Sequence, residues 1–434
     1  MPGSSERRLK VPCCRVGLAC VLAFSIPPDA KAQESVASTP EVFRRYAGGA
    51  AKLEVVEVGA AGRAEVGSGF YVTADGHVMT NYHVVAKLVH DPERYRIDLV
   101  ESTGERRSVT IIGVDVVHDL AVVRTEHRPE RHFDLRPVSV ARGERLYALG
   151  NPADLGLSIV EGTYNGLLEH TLYDRIHFTG SLNPGMSGGP AITERGEVVG
   201  VNVSTAGNQL SFLVPAARAR ALLNSVLAPE YVPPPDFLPV VGAQIREYQN
   251  QYLGSLFVDS VQTIVIEGYR LPTKPADFFN CWGDVVSSEE DSYEMRVHSC
   301  STDDYIFISR DHSAGIFEFG HQVLSSRELN TFQFFSLYSD EFQTADRYLH
   351  GREYDVTGFR CSGENIRHEA LKFRAVYCVR RYKKYEGLYD VIFKLAALGR
   401  GHSGLISSLT MSGVSFENAM RISRDYMESI TWEP

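Results

Sequence analysis

The sequence predicts a mainly β protein. From Leu53 to Val214, short apolar runs follow one another with Gly, Asp, Asn or Pro clusters between them. Several of these runs alternate apolar with polar side chains, the period of two that a half-buried strand needs. Hairpin signals such as Asp75-Gly76 fall where the alternation stops. Many short strands joined by tight turns form a barrel or a sandwich.

The elements follow in chain order. Thr39, Pro40 and Glu41 supply a cap, a first-turn proline and an acid, so a short helix is expected over Pro40–Ala47, stopped by Gly48-Gly49. Ala64–Val72 runs into Asp75-Gly76, and Val78–Asn81 returns as the second arm of a hairpin. Tyr95–Val100 and Ser108–Val114 flank the turn Ser102-Thr103-Gly104-Glu105. Leu120–Arg124, Arg145–Leu149, Ser158–Tyr164, Arg175–Phe178, Ala191–Thr193, Glu197–Val203 and Leu210–Val214 continue the series. Pro215–Val226 has the Ala- and Leu-rich spacing of a helix.

Residues 228–239 then hold Pro229, Pro233, Pro234, Pro235 and Pro239, a stiff, donor-poor stretch that reads as a linker. It divides a first domain, 33–227, from a second, 240–434, rich in Tyr and Phe. Thr263–Glu267, Tyr305–Ser309, Arg374–Arg380 and Leu388–Lys394 read as strands of this second half. A closing helix runs from Ser415 as cap to Ile430, with Phe416, Ala419, Met420, Met427 and Ile430 expected on its apolar face. The second half is therefore read as an α+β accessory domain.

Composition sets the class. The chain has 434 residues, 44 % of them apolar and 23 % charged, as in an ordinary globular protein. Residues 1–32 have the layout of a signal peptide: Arg7, Arg8 and Lys10, then apolar Val16–Ile26, then Ala30-Lys31-Ala32 as a cleavage site. Export to the periplasm or the medium is expected, with no membrane-spanning segment left after cleavage. The net charge of −10, without a basic stripe, argues against a nucleic-acid partner. Beyond the leader stand Cys281, Cys300, Cys361 and Cys378. In an exported protein they suggest two disulfides, and the local pairings Cys281–Cys300 and Cys361–Cys378 each close a short loop. Zinc is disfavoured because no C-x-x-C pair is present. No metal or organic cofactor is implied.

Three polar residues in the first half form a chemical set. His83 lies in Met79-Thr80-Asn81-Tyr82-His83-Val84-Val85, Asp119 in His118-Asp119-Leu120-Ala121-Val122-Val123, and Ser187 in Leu182-Asn183-Pro184-Gly185-Met186-Ser187-Gly188-Gly189-Pro190. Acyl transfer by serine needs a base for the hydroxyl proton, an acid to orient that base, and donors for the oxyanion. Each residue alone has a bland explanation. His77 reads as a structural histidine, and Asp115 lacks the strand pattern that follows Asp119.

Together with Gly67-Ser68-Gly69-Phe70 and Ser211-Phe212-Leu213-Val214-Pro215, these motifs in this order resemble the trypsin-like serine peptidases in their bacterial HtrA (Deg) branch. The resemblance covers about residues 40–225. It implies a double β-barrel with the site in the cleft between barrels. It also implies a serine endopeptidase working through an acyl-enzyme: Ser187 as nucleophile, His83 as base, Asp119 as orienting acid, and the N–H groups of Gly185 and Ser187 as oxyanion donors. By the same alignment Ser181 lies at the base of the primary pocket, with Val203, Ser204, Thr205 and Phe212 as its walls. A neutral base leaves Arg or Lys unpaired, so small or medium apolar side chains are expected there. Polypeptide substrates follow, and residues 240–434 are open to binding substrate, an envelope protein partner or the protease itself.

Two departures stand out. Met186 replaces the Asp or Asn of many relatives, so activation by a new N-terminus is not expected. Residues beyond Pro239 show no PDZ-like peptide-binding loop. Two rival readings remain. Gly185-Met186-Ser187-Gly188-Gly189 also fits a hydrolase nucleophile elbow, with His402 available, but that elbow opens a helix and here a strand is expected. The other rival is a catalytically silent binding or sensing protein on a protease scaffold.

Overall fold

Alternation and turn chemistry build the N-terminal strands. In the computed structural model, residues 37–433 are described except 61, 102, 206–208, 258–260, 288–291, 345–348, 350 and 400. The leader expected over residues 1–32 lies outside the described residues. Helix α1 (Thr39–Tyr46) begins one residue earlier than the Thr39 cap implied, because Ser38 takes the cap position and its N–H donates to Glu41 (2.8 Å).

Seven antiparallel strands then form one sheet, in the spatial order Arg106–Ser108, Tyr95–Val100, Ala50–Glu57, Arg63–Tyr71, His77–Thr80, Leu120–Arg124, Thr110–Asp115. Its two outer strands are separated in sequence by Val109 alone, whose N–H reaches Ile97 C=O (3.4 Å). The sheet must therefore curl until its ends meet, and it is barrel-like without a fully paired seam. The second sheet is a closed barrel in the order Ile176–Phe178, Ser211–Pro215, Val198–Thr205, Pro190–Ile192, Arg145–Gly150, Ser158–Leu167. Leu146, Ala148, Phe178, Met186, Ala191 and Leu213 fill it. Helix α2 (Tyr82–His90) lies on the first sheet, and α3 (Ala216–Val226) packs Ala219, Leu222 and Val226 into the core between the barrels.

After the proline stretch, α4 (Leu238–Leu253) turns back onto the first barrel. Gln244 makes the joint: its side chain donates to Val114 C=O (2.7 Å) and accepts from Val116 N–H (2.9 Å). The sequence showed no helix here.

The C-terminal half centres on a second seven-stranded antiparallel sheet. Its order is Asn280–Val286, Glu294–Ser301, Phe317–Ser325, Ser403–Val414, Tyr389–Ala397, Leu371–Arg381, Arg360–His368. Neighbouring residues serve opposite faces. Val323, Leu395 and Leu405 meet helix α6 (Phe416–Glu428), while Leu324, Ala396 and Ile406 meet α5 (Thr331–Thr344). Ser415 caps α6 by accepting from Asn418 N–H (3.2 Å). The expected apolar face of α6 needs correction. Phe416 and Met420 are 50 % and 42 % exposed, and the buried stripe is Ala419, Ile422, Ser423, Tyr426 and Ile430. Tyr426 fits inside because its hydroxyl donates to Ser408 C=O (3.2 Å).

Disulfides Cys281–Cys300 and Cys361–Cys378 join directly opposed residues, each stapling an edge strand of this sheet to its neighbour. One apolar core runs across the proline stretch: Val84, Val85, Val89 and Val114 pack with Val241, Ile245, Ile306, Ile308 and Tyr385. Residues Ala37–Pro434 accordingly form one compact unit. Among the described residues, no helix is long and apolar enough to cross a membrane.

Candidate active site

His83 stands in the first turn of α2, whose N-cap is Asn81. Asp119 stands in the turn that precedes strand Leu120–Arg124, with φ of 57°, a left-handed conformation that Asp tolerates better than most residues. The buried Asn81 amide donates to Asp119 C=O (2.7 Å) and fixes that turn. The Asp119 carboxylate grips His83 twice. Oδ1 accepts the His83 main-chain N–H (2.8 Å) and Oδ2 lies 2.7 Å from Nδ1. This holds the imidazole with Nδ1 protonated and leaves Nε2 as the basic atom. Burial pulls the His83 pKa down, but the charge and hydrogen bond of Asp119 outweigh it, so the net shift is upward. The ring stays reachable, with 27 % of the side chain exposed. Asp115 instead binds His118 Nδ1 (2.8 Å), and His77 is buried against Thr73 (2.7 Å).

Ser187 lies on the second barrel, on a turn anchored to the first. Ser68 is the hub of that anchorage. Its N–H donates to Ser187 C=O (2.7 Å), its hydroxyl donates to Gly185 C=O (2.7 Å), and the same hydroxyl accepts from Asn151 N–H (2.9 Å). Gly188, with φ of 87°, passes so close to strand and cap that a Cβ would meet Ser68 O at 2.2 Å and Asn81 N at 3.1 Å. Only glycine fits, and the fit brings Ser187 beside the helix that carries His83.

The peptide planes around Ser187 are set individually. Ala153 N–H binds Pro184 C=O (2.8 Å), while Gly189 N–H (3.1 Å) and the Asn202 amide (3.3 Å) bind Met186 C=O. In a trans peptide the N–H points opposite the carbonyl, so the Gly185 and Ser187 N–H groups are turned away from these anchors. Met186 N–H and Gly188 N–H donate to Asn183 and Asn202 carbonyls (3.0 and 2.9 Å), whereas those of Gly185 and Ser187 have no acceptor among the described residues. Two free, fixed donors flanking a serine are what an oxyanion requires. The Ser187 hydroxyl itself donates to Val203 C=O (3.1 Å), and among the described residues no hydrogen bond joins it to His83. Met186 is wholly buried in the second barrel.

The pocket residues are scattered in environment. Ser181 is exposed, Val203 is buried and Phe212 half-buried in the core between the barrels, and Ser204 and Thr205 continue the strand beyond Val203. His402 is remote from Ser187; it lies by Thr331 (3.2 Å) and Phe334 in the C-terminal half. Cys281, His298 and Cys300 cluster, but the two sulfurs are bonded to each other and offer no thiolate.

Sequence reasoning passed over four contributors: Ser68, Asn81, Ala153 and Phe307. The first two sit inside quoted motifs, where a polar side chain in a buried run was the available signal. Phe307 belongs to the C-terminal half, and its ring lies 6.0 Å from that of His83, edge to face.

Residues 67–201 match the family model of the trypsin-like peptidase domain. The chain is 34 % identical over 168 residues to serine protease HTRA2, mitochondrial, of Bos taurus, covering 36 % of this chain and 35 % of that protein. It is 33 % identical over 172 residues to a probable periplasmic serine endoprotease DegP-like of Bartonella henselae, covering 37 % and 33 %. The crystal structure of Deg5 aligns with a TM-score of 0.38 at 27 % identity, over 43 % of this chain and 92 % of that one. The chain spans about a third of the length of these two curated relatives.

Proposed function

From a trypsin-like peptidase domain similar to those of HtrA-type serine proteases, we propose that this chain is an exported serine endopeptidase. One observation carries the reading: the Asp119 carboxylate holds His83 at both its main-chain N–H and Nδ1, beside a serine flanked by two free N–H donors. Ser187 Oγ leaves Val203 by a change of χ1, attacks the peptide carbonyl carbon and gives its proton to His83 Nε2. The tetrahedral oxyanion is held by the Gly185 and Ser187 N–H groups. The amine then leaves with the proton from His83, and water, activated by the same histidine, hydrolyses the acyl-enzyme.

The neutral Ser181 supports a preference for small or medium apolar residues at the scissile position. The layout of residues 1–32 and the similarity to a probable periplasmic endoprotease of Bartonella henselae support a periplasmic site. On this reading the C-terminal half is the candidate site for substrate, for an envelope protein partner or for the peptidase domain itself.

The hydrogen bond from Ser187 to Val203 instead of His83 favours a second reading, a silent binding protein on the same scaffold. Labelling with a fluorophosphonate separates the two. Wild-type protein takes the label, and Ser187→Ala and His83→Ala lose it. A wild type that takes no label and cleaves no unfolded casein refutes the peptidase reading in favour of the silent one.

A further inference from the structure

A strap from the C-terminal half lies against His83. Between strands Glu294–Ser301 and Phe317–Ser325 the chain leaves the sheet and makes a small hairpin, Ile306–Ser309 with His312–Ala314. The segment Asp304–Ile308, which leads into the first arm, is tied to both barrels. At one end the Asp304 carboxylate accepts from Leu172 N–H (2.8 Å), and Tyr305 C=O accepts from the Tyr173 hydroxyl, both on the second barrel. At the other end Ile308 C=O accepts from the Tyr82 hydroxyl (3.2 Å) and lies 3.1 Å from His90 Nε2, both on α2 of the first barrel. Five extended residues reach about 13 Å. This strap therefore bridges the same two barrels whose junction holds His83, Asp119 and Ser187.

Side-chain alternation decides what the strap presents to the cleft. Ile306 and Ile308 are buried in the core shared by the two halves, so Phe307 points the other way, half-buried, onto His83. The ring is not sealed in. His83 and Phe307 together line a groove of about 500 Å³ that continues along α2 past Lys87 and Arg310.

We propose that Phe307 determines specificity, by limiting the size of the substrate side chain that immediately precedes the scissile residue. The inference rests on Ser187 being the nucleophile of a peptidase. An extended substrate running beside Val203 alternates its side chains between the two barrels. If the scissile residue enters the pocket of the second barrel, its predecessor points to the first, where His83 and Phe307 meet it. On this reading the ring edge narrows the groove at His83 and favours a small or β-branched side chain over a large one. Among the described residues the ring that packs on His83 is that of Phe307, so on this reading the C-terminal half completes the cleft.

The test uses the full chain and peptides that differ only in the residue before the scissile one: Ala, Val, Leu and Phe. Wild type favours Ala and Val. Phe307→Ala raises the ratio of kcat/KM for Phe over Ala by about tenfold or more, the range that small changes in an apolar pocket produce. Phe307→Trp lowers it. Phe307→Leu provides an intermediate cavity should the alanine variant fold poorly, and melting temperatures identify that case. If the variants take the fluorophosphonate label yet rank the four peptides as wild type does within twofold, the inference is overturned and the peptidase reading stands. If wild type takes no label, both fall.

Discussion

Ser68→Ala tests how the proposed oxyanion donors are held. The hydroxyl joins Asn151 N–H (2.9 Å) to Gly185 C=O (2.7 Å) at a site without water access, since Ser68 is fully buried and Asn151 nearly so. Removing it leaves one donor and one acceptor unsatisfied, at about 1–3 kcal/mol each. Part of that cost falls on stability. The rest appears as freedom in the peptide between the two oxyanion N–H groups, because Gly185 has φ of 96° and no side chain to restrain it. Each 1.4 kcal/mol of misalignment is about tenfold in rate, so kcat should fall about 10- to 100-fold with KM little changed. The comparison is Thr193→Ala. It removes a hydroxyl that accepts from Arg195 and Glu197 N–H (both 3.3 Å) in a hairpin of the same barrel, remote from Ser187. Both variants are assayed for peptide hydrolysis well below their melting temperatures. If Ser68→Ala loses no more kcat than Thr193→Ala, the hydroxyl is only structural and the positioning argument is wrong.

Four further outcomes follow from the charged and titratable groups. On the proposed mechanism His83 must be neutral, and Asp119 raises its pKa above 6.5, so kcat/KM should rise with pH through a midpoint above 6.5. Asp119→Asn should lower that midpoint and reduce kcat by about 10⁴-fold, read from a pH–rate profile. Burial holds His90 and His312 near pKa 4 and His321 near 3. These folded values lie below the unfolded value, so the unfolded chain binds more protons and stability falls as pH drops below about 6.5. The loss approaches about 2 kcal/mol per histidine at pH 5, checked by urea unfolding at pH 7 and 5. A midpoint that does not move would refute it. Asp390 accepts from Arg380 (2.7 Å), the Tyr382 hydroxyl (2.7 Å) and Gly413 N–H (3.1 Å), all buried. Asp390→Ala should cost about 3–5 kcal/mol of stability by stranding the guanidinium, while an unchanged urea midpoint would show that Arg380 finds water.

How much the sequence disclosed depends on the range of the interaction involved. Strands Tyr95–Val100 and Leu120–Arg124 were legible to the residue because a short apolar run and the residues that bound it are local. The large C-terminal sheet was legible only in part. Ser403–Val414 is covered on both faces by α5 and α6, so its polar residues Ser407, Thr410 and Ser412 are buried too and no alternation appears. Helix α4 has Pro239 in its first turn and carries Gln244 and Gln249 inward, because their amides bind carbonyls of Val114 and Ser412. Polar residues facing a core hide a helix from pattern reading.

The candidate site divides along the same line. His83, Asp119 and Ser187 announce themselves because each sits in a short run whose composition is dictated by close backbone approach, as at Gly188. Phe307 stands more than two hundred residues from His83 with nothing local to mark it. Ile306 and Ile308 read as strand residues, and only the tertiary fold reveals that one face of that strand enters the core and the other enters the cleft. A core that continues across the proline stretch fixes the strap's height above His83. Mutations in α4 that loosen that core, such as Val241→Ala, should therefore alter peptide ranking before they alter labelling of Ser187.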